Sequence, residues 1–496
     1  MAPPQGMTPK AASPPVMGAP IMGPPALGPH PRIAGRGRRA ALVGLAVLAA
    51  SVLGPAALLL AASVPGAPLV LVAGAAAGAA GLVLVERPQL TLYAWFVLLV
   101  LPQALHVEPF QTLATNGACL AALVAWLLAD GLRRPAWDAT LLLMALCIAW
   151  SCTTLLWAPD LVEGRRAVVA WIIAFLLLFL LLQRTRSLAG VDGLMRMLAL
   201  VGWSLILAGL LTVALTGYHF TSRLNVLGMN ENMYGVMLIL GLPGAMWPAM
   251  RARSGRRALP MALSVAYILC TLAFVALSGS RGSALSLLVV LFLFLFSRPV
   301  RPWGLLGLGL VAFLLVAAPF VLGVVLQRIG EDEGGELGGR GPLWAASLDF
   351  IQDHPWTGAG VGNGPLALHD YIAAVTSTFN RRSDLPSHQP LLEVCVDTGL
   401  PGLALYAAML ASAVRSFWRA RRRWLALGAP AGYHAVVAGV TVGYVVSWFK
   451  AGGMKHHPTL MLLLALLLIP AHLTAARTGV PARRPGGPAA GEAAGV

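Results

Sequence analysis

The chain reads as an all-α polytopic membrane protein of about 12–14 transmembrane helices with one large loop domain on its outer side. Three observations predict this. Apolar residues make up 58% of the 496 positions and charged residues 11%, where a soluble protein carries about 25% charged. Apolar stretches of about 20 residues recur, each long enough as a helix to cross a hydrocarbon core roughly 30 Å thick. Runs such as 167–183 and 303–327 are apolar on every side, whereas membrane strands alternate apolar with polar positions. Charge is the third observation. With the N-terminus in the cytoplasm, most of the 35 Lys and Arg fall in inner joints and most of the 19 Asp and Glu in outer ones, the asymmetry that orients membrane helices.

Residues 1–40 are rich in Pro, Gly, Met and Ala without an apolar core, so they read as a disordered cytoplasmic tail and not as a signal peptide. Fourteen candidate spans follow, at 41–62, 68–85, 88–106, 112–131, 138–157, 166–183, 196–216, 232–250, 259–278, 282–297, 303–326, 400–418, 431–449 and 458–475. Residues 41–326 thus form an N-terminal group of transmembrane helices, 327–399 a large outer loop, 400–476 a C-terminal group, and 477–496 a second cytoplasmic tail. The net charge of +16 sits mainly in the inner joints 251–257 and 415–423 and in both tails. Topology and anionic lipid account for it there, and no nucleic-acid partner is called for. Five cysteines, with Cys119, Cys147, Cys152 and Cys270 inside spans, give neither a disulfide framework nor metal-ligand spacing.

The outer loop is long enough to fold as a cap. Its opening, Glu331 to Arg340, is acidic and glycine-rich. Pro342–His354 has the spacing of an amphipathic helix offering Leu343, Ala346, Leu348, Phe350 and Ile351 for packing. The glycine-rich turn Gly358 to Gly364 lacks the preceding strand and following helix of a dinucleotide site. The loop returns to the membrane through Ser387-His388-Gln389-Pro390, and Thr398-Gly399-Leu400-Pro401-Gly402 should interrupt the next helix after about a turn and a half.

Fixed sidedness makes the basic residues left outside conspicuous: Arg165, Arg166, Arg223, Arg281, Arg328, Arg340, Arg381, Arg382, Lys450 and Lys455. Arg281 stands in Ser278-Gly279-Ser280-Arg281-Gly282-Ser283, a joint so short that the guanidinium lies at the interface. A charge costs about 2.5–3.5 kcal/mol at a helix centre and less near its end, and a bound anion offsets that cost. Guanidinium forks match phosphate oxygens bidentately, so outward arginines around a cavity suit a lipid-linked pyrophosphate. The competing reading for these arginines is pairing with Asp160, Glu163 or the acids of the cap. His388, where the cap meets the membrane, is suited to take a proton from a hydroxyl near neutral pH. Taken alone, an interfacial histidine is more often a helix cap or a hydrogen-bonded loop residue.

Other constellations carry less. Nothing orders Asp349, Asp353, Asp370, Asp384, Glu393 and Asp397 into the carboxylate pair of a glycosidase. His456 and His457, adjacent and without a carboxylate at ligand spacing, read as membrane-surface residues and not as a metal site. Ser278, Ser280 and Ser283 lack the Gly-x-Ser-x-Gly elbow of a nucleophile.

Residues 217–402 resemble the O-antigen ligase and polymerase superfamily, bacterial membrane glycosyltransferases with a large periplasmic loop. The ligase signature is His, then Asn, Ser or Gln, nine residues, Gly, two residues, and Gly, Thr or Tyr; His388, Gln389, Gly399 and Gly402 match it, followed by three spans. Ser280-Arg281-Gly282 is similar to the family's joint, and Arg223 with Asn230-x-Asn232 is similar to its arginine and Asn-Pro-Asn, with Glu231 in place of the proline. The resemblance implies an enzyme of the bacterial inner membrane, its site facing the periplasm. It would move a glycan from undecaprenyl pyrophosphate to a hydroxyl of lipid A–core without metal, cofactor or nucleotide sugar. His388 would be the base toward the acceptor, and Arg223 and Arg281 would hold the pyrophosphate as it leaves. Asn230, Asn232 and Gln389 of the matching motifs would bind substrate, with Arg340, Arg165 and Arg166 as further candidates from their outward charge, and direct attack on the anomeric carbon, as the family implies, would invert configuration. A polymerase of the same superfamily stays open. So does a lipid-linked saccharide transporter, although a transporter should have related halves and no repeat is evident. A membrane scaffold with a loop histidine is the non-enzymatic alternative.

Overall fold

The computed structural model describes residues 135–215, 224–226, 229–252, 257–317, 340–375, 387–449, 455 and 457–478, with single positions at 119, 122, 123, 126 and 127, all within one compact unit, Val83–Val496. The first three expected spans, most of the fourth, the first tail and all but two residues of the second, Arg223, Arg328, Arg381, Arg382, Asp384, Lys450 and His456 lie outside the described residues.

The described residues are helical, with no strand among them. The ten expected spans from 138 onward each coincide with a helix: α1 (Ala139–Thr154), α2 (Leu161–Arg184), α3 (Leu188–Leu215), α4 (Glu231–Arg251), α5 (Ala258–Ser278), α6 (Arg281–Phe294), α7 (Arg301–Ala317), α11 (Pro390–Ala426), α12 (Gly432–Ser447) and α13 (Pro458–Thr478). Five of them, α2, α3, α4, α5 and α11, are long and apolar enough to cross a membrane, and the other five are shorter apolar helices. The chain is an all-α polytopic membrane protein. Helix α3 begins well before the expected 196, because the Ser187 hydroxyl accepts from Gly190 N (3.1 Å) and caps an earlier start.

Helices α4 and α13 form the centre. Both are buried around most of their circumference, the condition under which an all-apolar helix is stable away from lipid. Helix α4 packs against α3, α5, α6 and α12, and α13 against α11, α2 and α12, while α1 lies on α11. Between lipid-like surfaces, interhelical hydrogen bonds add what apolar contact does not. Tyr267 and Ser264 of α5 donate to the carbonyls of Leu238 and Ala245 in α4, each at 2.8 Å.

One end of the bundle carries the cap, formed by α8 (Gly341–Asp353), α9 (Gly364–Ala367), α10 (His369–Val375) and the start of α11. Its own core is Leu343, Ala346, Phe350, Ala359, Leu368, Ile372 and Val396. The expected packing of Leu348 is corrected: it is 50% exposed. The buried face of α8 runs through Leu343, Ala346, Ser347 and Phe350, and Ser347 fits there because its hydroxyl donates to Leu343 O (2.7 Å).

Candidate functional site

Local rules put His388 in an unusual place. Pro390 restricts the residue before it to extended backbone, and Gln389 has φ −142°, ψ 112°. Proline also suits the first helical position, and Gln389 Oε1 accepts from Leu392 N (2.7 Å), so α11 starts abruptly. The reversal ahead of it falls on His388 at φ 56°, the one non-glycine residue with positive φ among those described. Such a backbone costs roughly 1–3 kcal/mol, and the surroundings hold it: Trp344 of α8 donates Nε1 to Ser387 O (3.0 Å). Arg340, just ahead of α8, donates Nη1 to Phe449 O beyond α12 (3.4 Å). Burial first, and then the charge of Arg340, hold the His388 imidazole below its ordinary value of 6.5. The ring is therefore neutral near pH 7, with a lone pair for a proton.

The expected interruption of α11 occurs, one turn later than anticipated. Nine residues, about two and a half turns, separate Gln389 from Gly399, which breaks the helix at φ 68°, ψ −177°. Here the cap backbone touches the broken helix: Ala359 N donates to Val396 O and Leu400 N to Pro355 O, both at 2.7 Å. A Cβ on Gly399 would come within 2.5 Å of Trp356 O, and one on Gly358 within 2.6 Å of Gly399 N. The glycine-rich turn serves this close contact. Asn363 fastens its far side to the α1–α2 connection, accepting from Asp160 N (2.8 Å) and donating to Asp160 O (3.1 Å).

Arg281 opens α6 right after its cap, Ser280, whose Oγ accepts from Ser283 N (3.1 Å) and donates to Asn232 Oδ1 (2.6 Å). Ser283 Oγ donates to Asn232 O (3.1 Å), and Asn230 caps α4 by accepting from Asn232 N (2.9 Å). Two helix N-termini, each with the partial positive charge of unpaired amides, thus lie side by side at Arg281. Leu224 N donates to Leu277 O (3.1 Å), which holds the chain just after position 223 against the same joint.

Helix α12 relates the two places. Its Gly443 lies against Ser286 of α6. From that contact Arg281 is five residues toward the cap and Phe449 six, or about 8 and 9 Å at 1.5 Å per residue. Arg281 and the carbonyl that receives Arg340 therefore reach similar heights at the cap end. Arg165 and Arg166 are exposed on the first turns of α2, and Arg166 pairs with Glu163, the competing reading given above. Gln389 and Asn230 spend their side-chain oxygens on helix caps. His457 is buried and not at the surface, its Nδ1 on Thr459 Oγ1 at 2.8 Å.

Sequence reasoning missed one cluster. Lys455 Nζ meets Asp397 Oδ2 at 2.5 Å, with side chains 12% and 3% exposed. Glu393, one turn before Asp397, is buried on the same face and acts electrostatically on Lys455. The i, i+4 carboxylates and the outward lysine were separately visible in the sequence; their meeting was not.

The fold defines a membrane-embedded helical protein with a cap at one end, where Arg340 acts on His388 and Arg281 stands at a similar height. The model of the O-antigen ligase family matches residues 266–407, from within α5 to within α11, a stretch holding Arg281, Arg340, His388 and the signature glycines. The match supports membership of the O-antigen ligase superfamily, whose members are glycosyltransferase-like enzymes. A search of curated proteins finds no match.

Proposed function

We propose that the chain is an O-antigen ligase, transferring a glycan from undecaprenyl pyrophosphate to a hydroxyl of lipid A–core at the periplasmic face of the bacterial inner membrane. One observation carries the reading: the signature histidine of the family-matched stretch, His388, stands neutral in a left-handed turn between the cap and the membrane helices. In this mechanism the acceptor hydroxyl gives its proton to the imidazole as its oxygen bonds to the anomeric carbon. The bond from that carbon to the pyrophosphate oxygen breaks, and the electron pair leaves with the carrier lipid, inverting the sugar. Arg281, between the N-termini of α4 and α6, and Arg223 neutralise the charge that grows on the leaving group, the place where preorganised electrostatics contributes most. Asn230, Asn232 and Gln389 act through the backbone they hold. Arg340 and Arg165 add positive charge toward anionic substrates, as does Arg166 if it releases Glu163.

Deleting the gene in its host and resolving the lipopolysaccharide on a gel tests this reading. Bare lipid A–core with polymer stranded on the carrier lipid is the expected result. Core bearing a single repeat would replace the ligase with a polymerase, and an unchanged ladder would remove both.

A further inference from the structure

We infer that Lys455 and Asp397 form a buried latch that seats the cap on the membrane helices and so positions His388. Asp397 is placed to do this because its two oxygens face different parts of the chain. Oδ1 accepts from Gly364 N, at the end of the cap's glycine-rich turn (3.0 Å), and Oδ2 takes the ammonium of Lys455, between α12 and α13. The Lys455 carbonyl in turn accepts from the hydroxyl of Tyr406 (3.2 Å), beyond the break in α11. One carboxylate therefore joins the cap, the first part of α11 and the α12–α13 connection.

The position of the break makes the latch necessary. Because Gly399 interrupts α11, the segment from Pro390 to Thr398 does not inherit its direction from the membrane-spanning part. Its direction comes from side contacts, and Asp397 makes a charged one, with Glu393 acting on the same ammonium. The segment is a short rod of about 13 Å, with His388 just ahead of one end and Asp397 near the other, so a tilt at the latch moves the imidazole. Although burial works against its charge, Asp397 and Glu393 keep Lys455 protonated, above its ordinary value of 10.5. The cavity beside the pair, lined by Ser151, Thr398 and Tyr406 among others, has a volume of about 10 Å³. That is room for about one water and not for a sugar.

The latch stands by itself; its effect on transfer rests on the proposed function. Both are tested on the full chain in lipid nanodiscs, by hydrogen exchange over 355–368 and by steady-state transfer. In Lys455→Met, exchange of the Gly364 and Ala359 amides should rise at least about tenfold, and kcat should fall about 100-fold with KM little changed, the effect of a reacting group displaced by about 1 Å. Lys455→Arg, which keeps the ion pair, should restore both. If Lys455→Met fails to insert, Asp397→Asn provides the same comparison, because its Oδ1 still accepts from Gly364 while the charge is gone. Unchanged exchange in the variants overturns the latch, whatever the enzyme does. Faster exchange with unchanged kcat overturns the positioning of His388. Absence of transfer by the unaltered protein instead removes the ligase reading and leaves the exchange arm to decide the latch.

Discussion

The two ends of the helix bundle use the same chemistry for different ends. At the end away from the cap, Asp138 caps α1 through Oδ1, accepting from Leu141 N (2.8 Å), and meets His472 Nε2 of α13 through Oδ2 (2.5 Å). At the cap end, Asp397 divides its oxygens between Gly364 and Lys455. Both acids are tied to α13 or the connection just ahead of it. Around Asp138 the helix it caps is unbroken. Around Asp397 a helix is broken, four glycines (Gly358, Gly360, Gly362 and Gly399) take positive φ, and so does His388; elsewhere among the described residues only Gly279, between α5 and α6, and Gly428 do so. Strain persists where its surroundings over-determine it, and it gathers at sites that act. Glycine takes positive φ without steric cost, so the strained backbone among these is that of His388, at the cap end.

The largest effect should come from His388. His388→Ala should accumulate normally yet lose transfer by about 10²–10⁴-fold, the usual contribution of a proton-transfer group, measured as ligated lipopolysaccharide per unit of protein. His388→Gly sharpens the point, because glycine relieves the left-handed backbone. It should be at least as stable as the parent and just as inactive; a working His388→Gly enzyme would reduce the histidine to a turn residue.

Arg281→Lys should come next, losing roughly 10-fold or more in transfer, since lysine keeps the charge but not the fork that grips two phosphate oxygens. Unaltered donor affinity would remove Arg281 from the pyrophosphate site. Arg340→Gln should act through pH. A base works only when unprotonated, so transfer falls as pH drops through the imidazole pKa. Burial and Arg340 hold that pKa down, which under the proposed mechanism should keep transfer active into more acidic solution. Without Arg340 the acid limb of kcat/KM should move to higher pH. A limb that stays in place, or moves lower, would break the link between the two residues.

The smallest effect on activity belongs to the other end. Asp138→Ala removes a helix cap, worth about 0.5–2 kcal/mol, and the partner of His472. It should lower the melting temperature in detergent while leaving kcat/KM near the parent's. A loss of transfer comparable to that of Lys455→Met would erase the contrast between the ends.

How much of this was legible in sequence follows from range. Spans were legible because bilayer thickness sets their length and apolarity, and the break at Gly399 because Gly and Pro act locally. Leu348 was misassigned because a serine satisfied on its own helix takes an inward position that a hydrophobic count reserves for leucine. His457 was placed at the surface because its partner, Thr459, satisfies it in a way that composition does not reveal. His388 was found, but its left-handed backbone was not, since part of what surrounds it, the bond from Trp344 to Ser387 O, spans 43 positions. The pairing of Asp397 with Lys455 spans 58 positions, and only the folded arrangement of α11, α12 and α13 brings them together.

The burial of α13 bears on how the protein is made. This helix follows every other described helix in the chain, yet protein surrounds it through most of its length. A ribosome delivers a chain from its N-terminus, so α13 emerges after the helices it packs against, α2, α11 and α12. Until then α2 and α11 have an empty slot between them, and Asp397 and Glu393 wait for Lys455. A chain stopped after α12 would lack both the helix against which α2 and α11 pack and the lysine that Asp397 meets.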